Sequence, residues 1–405
     1  MDYFCACMGY SVFLQAGALS AETVSAMNLI FWGSLAVLVV GISAAIRVFL
    51  PWFSWSRAAG KGLEPSECSL MIVGRHDAEG FERWVHAAFA HLPEAEILAV
   101  DNQSEDDTAN ALEALKRQYP SLTVVTLPAS ERFWSTRKLA LTLAVKAAHR
   151  TYSLWVDTRC EVPADLQQWQ RALTSPLRRG KAIASFAPVV APRSASFRAR
   201  AESLAVNVWA HLRARPLLPA LKAVKTTGMV PVNFAFKTQG FFDIKGYLTS
   251  MHLDGGEAEF LLNDLVAQGA VVPVAQPSAF LTRPWLPQHD PKMRAHREGS
   301  ERFAVARYGF LILLVDLVAV AAGLHLALLW MHMEDFGMLQ PSPQIRFLQG
   351  QLQALLGVYV FLQVSFWVYA VQWSQRLGAG WAVGLSAPVY LRARLLTKAL
   401  TFWKK

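Results

Sequence analysis

Four short apolar runs, separated by stretches with helical spacing, constrain the fold of this 405-residue chain more than any other feature. The runs cover residues 69–73, 97–100, 123–126 and 153–156. Between them, apolar side chains recur every three or four residues over 80–91, 105–118 and 137–148. Apolar strands that alternate with amphipathic helices predict βαβ units, and therefore an α/β fold with a mostly parallel sheet covered on both faces.

Polar residues follow these predicted strands, at the edge of the sheet where such folds bind their ligands. The segments to inspect are Gly74–Asp77, Asp101–Asp106 and Asp157–Glu161. Ser104, with Asp107 three residues later, is typical of a helix N-cap, so we expect a helix to begin at Glu105. A cap does not explain Asp101 and Asn102, which end the preceding strand and are therefore candidate ligand-binding residues.

The composition indicates a membrane protein. Hydrophobic residues make up 53% of the chain and charged residues only 17%, against about 25% charged residues in a typical soluble domain. Residues 27–46 contain no charge, and as a helix they would extend over about 30 Å, the thickness of the hydrocarbon layer. Two further apolar runs lead us to expect transmembrane helices at 27–48, 308–331 and 352–373.

The distribution of basic residues predicts how these spans are oriented. Residues 1–26 contain no Lys or Arg, whereas basic residues follow the first span, precede the second and follow the third. By the positive-inside rule, residues 1–26 lie outside and a domain at 65–300 is cytoplasmic. Residues 381–405 are apolar with regularly spaced basic residues, which indicates an interfacial helix or, alternatively, a fourth short span. We expect an integral protein of the bacterial inner (plasma) membrane.

Charge and cysteine content limit the class of protein. The net charge of +9 fits an anionic membrane surface or a nucleotide, and no nucleic-acid-binding motif is visible. Four cysteines do not make a disulfide scaffold. Asp316 and His325 within the second apolar run raise the alternative of a transporter, but no repeat of spans supports it. We expect Asp316 to face other helices.

Six segments, in order, resemble motifs of the membrane glycosyltransferases of family 2, which have a nucleotide-diphospho-sugar transferase (GT-A-like) fold. Asp101–Thr108 is similar to the family's Asp-Asp-Gly-Ser-x-Asp-x-Thr motif, and Asp157–Pro163 lies where its Asp-x-Asp-Cys-x-Pro metal loop belongs. The remaining segments are Ser69–Asp77, Arg137–Leu141, Gly228–Tyr247 and Gly256–Leu261. The resemblance covers roughly residues 65–405.

This resemblance implies transfer of a sugar from a nucleotide-diphospho-sugar to an acceptor. It implies catalytic roles for Asp157, Glu257 and Glu259, with Asp157 also a ligand of Mg²⁺ or Mn²⁺. The nucleotide-binding residues that it implies are Arg75, Asp77, Asp101, Asn102, Arg137, Lys138, Arg159 and Arg297. Because we expect the domain to be tied to the bilayer on both sides, we expect a lipid or lipid-linked glycan acceptor at the cytoplasmic face.

The sequence departs from the family pattern at three places. Arg159 replaces the second Asp of the metal loop, which argues against a divalent cation. Ala258, between Glu257 and Glu259, occupies the position of the catalytic base, and the neighbourhood of Arg297 lacks the Trp of the family's Gln-x-x-Arg-Trp motif. Reaction-carrying positions are thus less well kept than nucleotide-contacting ones.

Two hypotheses follow. In the first, the enzyme is metal-independent, Arg159 supplies the positive charge of the missing cation, and Glu257 or Glu259 is the base. In the second, the protein is a catalytically inactive glycosyltransferase-like membrane subunit. It would then have a structural or regulatory role and a protein partner.

Overall fold

The computed structural model describes residues 32, 35, 39, 61–127, 136–178, 180, 182–213, 232–253, 255–284, 314–324 and 343–389. The chain forms two compact units. The larger comprises Arg47–Ala306 with Phe366–Lys405, and the smaller comprises Met1–Ile46 with Arg307–Ser365.

The larger unit is built on a seven-stranded sheet with the order β3-β2-β1-β4-β7-β5-β8. Its strands are β1 Cys68–Gly74, β2 Glu96–Asp101, β3 Thr123–Thr126, β4 Tyr152–Asp157, β5 Ala182–Phe186, β7 Asn233–Lys237 and β8 Ala270–Pro273. Val189–Val190 (β6) and Leu281–Thr282 (β9) form a separate parallel pair. The helices of this unit are α1 Ala78–His91, α2 Thr108–Gln118, α3 Thr136–Ala147, α4 Leu166–Arg178, α5 Phe197–Arg213, α6 Thr238–Asp243 and α7 Glu257–Leu265.

The mostly parallel α/β sheet expected from the sequence is confirmed. β1 pairs in parallel with β2 and β4, β2 with β3, and β5 with β8, whereas β7 is antiparallel to both β4 and β5. The first four strands match the four apolar runs to within one residue at either end. Their carboxyl ends all lie at one edge, so the loops after β1, β2 and β4 are neighbours there.

The central strands are buried on both faces, as a sheet covered by two helix layers requires. Along β1, Leu70 and Ile72 pack into one apolar cluster, which also contains Trp84 of α1. The intervening residues pack into a second cluster on the opposite face, with Leu141 of α3. This alternation follows from the two-residue period of a strand.

The start of α2 differs from the expectation. The helix begins at Thr108 with Asp107 as its N-cap, rather than at Glu105. Ser104 does not cap it, because its hydroxyl donates to Asp101 Oδ1 at 2.5 Å and thereby belongs to the loop after β2. The sequence pattern of Ser104 and Asp107 suggested a capping box, but the Asp101 carboxylate at the end of β2 binds the Ser104 hydroxyl instead.

An apolar cluster joins α5 to the chain after residue 365. Trp373 and Leu377 pack there with Leu204 of α5 and Val190 of β6. A short helix, α8, covers residues 381–389. Arg200 of α5 donates to the carbonyl of Ala379, just before α8, at 3.1 Å.

The described residues of the smaller unit include the helix Leu314–Leu324 and the part of the helix Pro343–Arg376 that precedes Phe366. In the helix Leu314–Leu324, Asp316 Oδ1 accepts a hydrogen bond from the hydroxyl of Tyr359 at 2.9 Å. Gln363 Nε2 lies 3.4 Å from the same oxygen. Asp316 therefore faces a neighbouring helix, as expected.

In the part of the chain that the structure describes, one helix is long and apolar enough to cross a membrane. It is the segment Gln349–Arg376 of the helix Pro343–Arg376, and it includes the third expected span. Of the second expected span only 314–324 is described, and of the first only positions 32, 35 and 39, all helical. Residues 390–405 of the expected interfacial helix lie outside the described residues.

Candidate functional site

An open cleft of about 460 Å³ lies at the carboxyl ends of β1, β2 and β4. Its lining residues are Val73, Gly74, Arg75, His76, Asn102, Arg137, Asp157 and Arg159. Five of these eight were candidates from the sequence. The position of the cleft is the one at which an open α/β sheet binds its ligands.

Gly74 allows the ends of β1 and β4 to approach closely. A Cβ atom at this position would lie 2.5 Å from Thr158 Oγ1 and 2.6 Å from Thr158 Cγ2. The backbone of the β4 loop is fixed to the same strand, because Thr158 donates its N–H to the carbonyl of Val73 at 3.0 Å. A side chain at residue 74 would therefore push apart two walls of the cleft.

Hydrogen bonds connect the loops after β1 and β2. The backbone N–H of His76 donates to Ser104 Oγ at 2.8 Å, and His76 Nδ1 accepts the N–H of Glu105 at 3.2 Å. Asp101, 1% exposed, accepts from the N–H and the hydroxyl of Ser104. Asp101 thus shapes the loop and does not line the cleft.

Asn102 is the polar group of the β2 edge that faces the cleft. Its backbone N–H donates to the carbonyl of Gly74 at 3.0 Å, which fixes its position. Its side-chain Oδ1 is buried and has no hydrogen-bond partner among the described residues. An unpaired buried carbonyl costs about 1–3 kcal/mol, a cost that a ligand N–H or O–H would remove.

Asp157, at the end of β4, accepts four hydrogen bonds. Oδ1 accepts from the backbone N–H and from Nε of Arg159, each at 3.0 Å. Oδ2 accepts from Arg159 Nη2 at 3.0 Å and from Arg137 Nη2 at 2.7 Å. A third guanidinium, that of Arg283, lies 3.6 Å from Oδ2. Asp157 is 1% exposed, so its carboxylate makes these contacts almost completely out of reach of solvent.

The charges of this cluster reinforce one another. Burial alone would raise the pKa of Asp157, but the positive charges of Arg137, Arg159 and Arg283 hold it well below its usual value of 3.8. Burial would lower the pKa of Arg137, yet the negative charge of Asp157 raises it above its usual range. The low pKa of Asp157 and the raised pKa of Arg137 keep this pair ionised at neutral pH.

Glu257 and Glu259, at the start of α7, are placed differently with respect to the cleft. Glu257 Oε1 lies 3.6 Å from Nε of Arg137, a residue that lines the cleft. Burial, and then the charge of Glu257, raise the pKa of the nearby Tyr247 phenol. Glu259 is 2% exposed, and neither glutamate lines the cleft. The contact with Arg137 thus places Glu257 next to the candidate site.

Lys138 lies away from the cleft, although it follows Arg137 in the chain. It is fully buried, and its ammonium group donates to the carbonyls of Ser250 and Leu253, each at 2.7 Å. Its Nζ also lies 4.3 Å from the centre of the Phe260 ring. This placement does not support a nucleotide contact and makes Lys138 a support for the segment that leads to α7.

Two other sequence candidates have different outcomes. Asp77 is the N-cap of α1, where it accepts the N–H of Gly80 at 3.0 Å. Arg75 is exposed and lines the cleft. Arg297 lies outside the described residues.

Sequence reasoning missed two residues of the site, His76 and Arg283. His76 was inside the segment after the first strand, but only its neighbours Arg75 and Asp77 were named as candidates. Arg283 directly follows β9, whose two residues are too few to predict from periodicity. The N–H of Arg283 donates to the carbonyl of Val190, and Glu161 donates to Thr282, so long-range pairing brings Arg283 to Asp157.

The residues around Asp157 do not fit a divalent cation. An ionised carboxylate offers about four lone-pair positions, and hydrogen bonds to arginine already use four. Mg²⁺ and Mn²⁺ prefer several oxygen ligands. Among the residues that the structure describes, no group of three or more His, Cys, Asp and Glu side chains could hold a metal ion.

Two comparisons of the sequence with known proteins found no match. No protein-family model matches the chain, and no curated protein matches it.

Two of the solved structures that the chain resembles are a mannosyltransferase and a glucosyl-3-phosphoglycerate synthase. One is the mannosyltransferase PcManGT from Pyrobaculum calidifontis in complex with GDP-Man and Mn²⁺, with 13% identity and a TM-score of 0.42 over 93% of this chain and 99% of that one. Another is glucosyl-3-phosphoglycerate synthase from Mycobacterium tuberculosis in complex with Mn²⁺, UDP and glucosyl-3-phosphoglycerate. It has 14% identity and a TM-score of 0.37 over 61% of this chain and 81% of that one. At these values the likeness carries no argument about the activity of this chain.

Proposed function

We propose that the protein is a membrane glycosyltransferase that takes its sugar from a nucleotide-diphospho-sugar. The observation that carries this proposal is the cleft at the carboxyl ends of β1, β2 and β4, which combines an unpaired Asn102 carbonyl with the arginines around Asp157. A nucleotide sugar offers hydrogen-bond donors on its base and ribose and negative charge on its diphosphate. Asn102 would accept a hydrogen bond from the base or the ribose, and the arginines would bind the diphosphate.

In the proposed reaction, a hydroxyl oxygen of the acceptor attacks the anomeric carbon of the donor sugar. The bond between that carbon and the diphosphate oxygen breaks, and its electron pair stays on the diphosphate. The acceptor hydroxyl must lose its proton, and we assign this proton to Glu257. Glu257 lies 3.6 Å from Arg137 and hence next to the cleft wall.

We further propose that the acceptor is a lipid or a lipid-linked glycan at the cytoplasmic face of the bacterial inner membrane. The segment Gln349–Arg376 supports a membrane location. So does α8, on which Trp381, Leu385 and Val389 are 63%, 40% and 58% exposed. Their spacing of four residues forms one apolar stripe, as on a helix that lies in a membrane interface.

One observation favours the alternative of an inactive glycosyltransferase-like subunit. Glu257 is 7% and Glu259 2% exposed, so neither carboxylate reaches the cleft surface. In that case the protein would still bind a nucleotide and would act through a protein partner.

The test is calorimetric titration of the purified full-length protein in detergent with UDP, GDP and dTDP. We expect one of these nucleotides to bind, and Asn102→Ala to weaken its binding by about tenfold, since the unpaired carbonyl is lost. Asn110→Ala is the matched control, because Asn110 is an exposed residue of α2. Failure of all three nucleotides to bind, or equal affinities of the two variants, would overturn the proposal.

A further inference from the structure

We propose that Arg137, Arg159 and Arg283 form a metal-independent diphosphate site, in which Asp157 is the counter-ion that gathers them and not a metal ligand. The identity of the ligand as part of a nucleotide sugar rests on the proposed function. The binding of a diphosphate group as such does not.

The geometry of the cluster leaves hydrogen-bond donors for a ligand. A guanidinium carries five N–H donors, and the fork of Arg159 on Asp157 uses two of them. The side chain of Arg159 is 44% exposed, and that of Arg283 is 24% exposed. Planar guanidinium groups bind phosphate oxygens in pairs, and so they fit the two phosphates of a diphosphate.

The balance of charge also favours an anion. Three guanidinium groups lie within 3.6 Å of one carboxylate. Glu257, 3.6 Å from Arg137, offsets a part of this charge, and the three guanidinium groups still outnumber the two carboxylates. The cluster therefore keeps an excess of positive charge at the cleft, which is the charge that a divalent cation would otherwise bring.

The fold explains how Asp157 holds three arginines from separate parts of the chain. Arg159 belongs to the loop after β4, Arg137 to the first turn of α3, and Arg283 to the residue after β9. Like charges repel one another, and the buried Asp157 carboxylate is the group that all three share. Asp157 thus has a structural role in this chain even though Arg159 stands where the family's metal loop has its second Asp.

The cluster would act on the step in which the diphosphate departs from the sugar. When the bond between the anomeric carbon and the diphosphate oxygen breaks, the electron pair remains on that oxygen and no proton is needed. Preorganised guanidinium donors near the oxygen stabilise the charge that develops there. Arg283 is then a substrate-binding residue that the sequence did not reveal.

The experiment is calorimetric titration of the full-length protein with inorganic pyrophosphate and with UDP, GDP and dTDP. Each titration is done once with EDTA and once with Mn²⁺. We expect pyrophosphate to bind with equal affinity in both conditions, and less tightly as the salt concentration rises. Arg283→Gln and Arg159→Gln should each weaken the binding of pyrophosphate about tenfold or more, because each removes charge-assisted hydrogen bonds.

A matched control is Arg117→Gln, since the Arg117 side chain is 79% exposed on α2 and pairs only with Glu113 among the described ion pairs. Its affinity for pyrophosphate should equal that of the unaltered protein. Equal losses in Arg117→Gln and Arg283→Gln would overturn the assignment of Arg283. The thermal midpoint of each variant shows whether the protein is still folded.

The outcomes separate this inference from the proposed function. Binding of pyrophosphate in EDTA without binding of any nucleotide supports the cluster and overturns the nucleotide proposal. Binding of a nucleotide only with Mn²⁺ overturns the cluster and leaves the nucleotide proposal standing. If neither pyrophosphate nor nucleotide binds in any condition, both are wrong.

Discussion

Arg137 Nη2 lies 2.7 Å from Asp157 Oδ2 and joins the first turn of α3 to the last residue of β4. Both groups are charged, and Asp157 is almost completely removed from solvent. Removing one partner of a buried ion pair leaves the other charge buried without compensation. The stability of the larger unit and the charge of its cleft therefore depend on the same contact.

We expect Asp157→Asn to destabilise the protein by about 3–5 kcal/mol at pH 7, because three guanidinium groups would lose their shared counter-ion. The measurement is the free energy of unfolding, or the thermal midpoint, in one detergent. Asp165→Asn is a control from the far end of the same loop, where the exposed Asp165 carboxylate accepts the N–H of Gln168 at 2.8 Å. A loss no larger than that of the control would contradict the role of Asp157.

The same residue predicts the direction of the pH dependence. The folded-state pKa of Asp157 is well below 3.8, its usual value. Between these two values the unfolded chain binds a proton that the folded protein does not, so stability falls as the pH decreases. The stability difference between the unaltered protein and Asp157→Asn should be full above about pH 5 and shrink below pH 4. A difference that is constant from pH 7 to pH 3 would contradict this.

Arg159→Asp should change the way in which the cleft neutralises a diphosphate. The substitution removes the two-point contact with Asp157 and places a second carboxylate two residues away. We expect weaker pyrophosphate binding in EDTA by about tenfold or more. We also expect a gain of Mn²⁺ binding, measured as the loss of the free Mn²⁺ signal in electron paramagnetic resonance. Equal Mn²⁺ binding by the unaltered protein would contradict the view that Arg159 prevents a divalent cation from binding.

Glu257→Gln should lower sugar transfer by about 10²–10⁴-fold and leave nucleotide affinity nearly unchanged, if Glu257 accepts the proton of the acceptor. Glu259→Gln is the matched comparison, because Glu259 lies two residues further along the same helix. The assay measures transfer of a radiolabelled sugar to membrane lipids, and nucleotide binding is measured separately. If the two variants lose transfer equally, Glu257 is not the base. If the unaltered protein binds a nucleotide but transfers none of the sugars offered, the inactive hypothesis gains support.

Lys138→Met should destabilise the fold more than it weakens nucleotide binding. The buried ammonium group donates to the carbonyl of Ser250 and to the partly buried carbonyl of Leu253, so the substitution removes the donor from both. A loss of about 2–4 kcal/mol in the free energy of unfolding is expected. Lys146→Met, at the last turn of the same helix and exposed, is the control. A large loss of nucleotide affinity with unchanged stability would instead return Lys138 to the nucleotide site.

The apolar stripe of α8 predicts contact with lipid. A fluorescent nitrobenzoxadiazole group attached to a cysteine at position 385 should shift its emission to shorter wavelength when the protein is reconstituted into anionic vesicles. The same label at position 110, on α2 of the larger unit, should show no such shift. Equal emission at both positions would contradict the placement of α8 in the membrane interface.

The sheet could be predicted from sequence because its central strands are short, apolar and buried on both faces. Cys68–Gly74 and Tyr152–Asp157 extend the expected runs by one residue at each end. The positions after these strands were predictable for the same reason, since the topology alone brings their ends together. Asn102 and Asp157 therefore lie where the sequence placed them.

The contacts within the site could not be predicted in the same way. Whether Asp157 binds a cation or three arginines depends on Arg283, which arrives through the pairing of β9 with β6. Lys138 and Arg137 are adjacent in sequence, but helix geometry turns them about 100° apart, and so only one faces the cleft. Ser104 and Asp77 have the same polar character as ligand-binding residues, yet their partners are backbone and side-chain groups of their own loops.

Arg283 also has a mechanical attachment. Its N–H is bound to the carbonyl of Val190, and the Val190 side chain belongs to the apolar cluster that contains Trp373. Trp373 is part of the long apolar helix Pro343–Arg376. The placement of the Arg283 guanidinium beside Asp157 is thus tied, through two paired strands, to the packing of Trp373. A substitution that loosens Trp373 would therefore alter the charge next to the cleft without touching a residue that lines it.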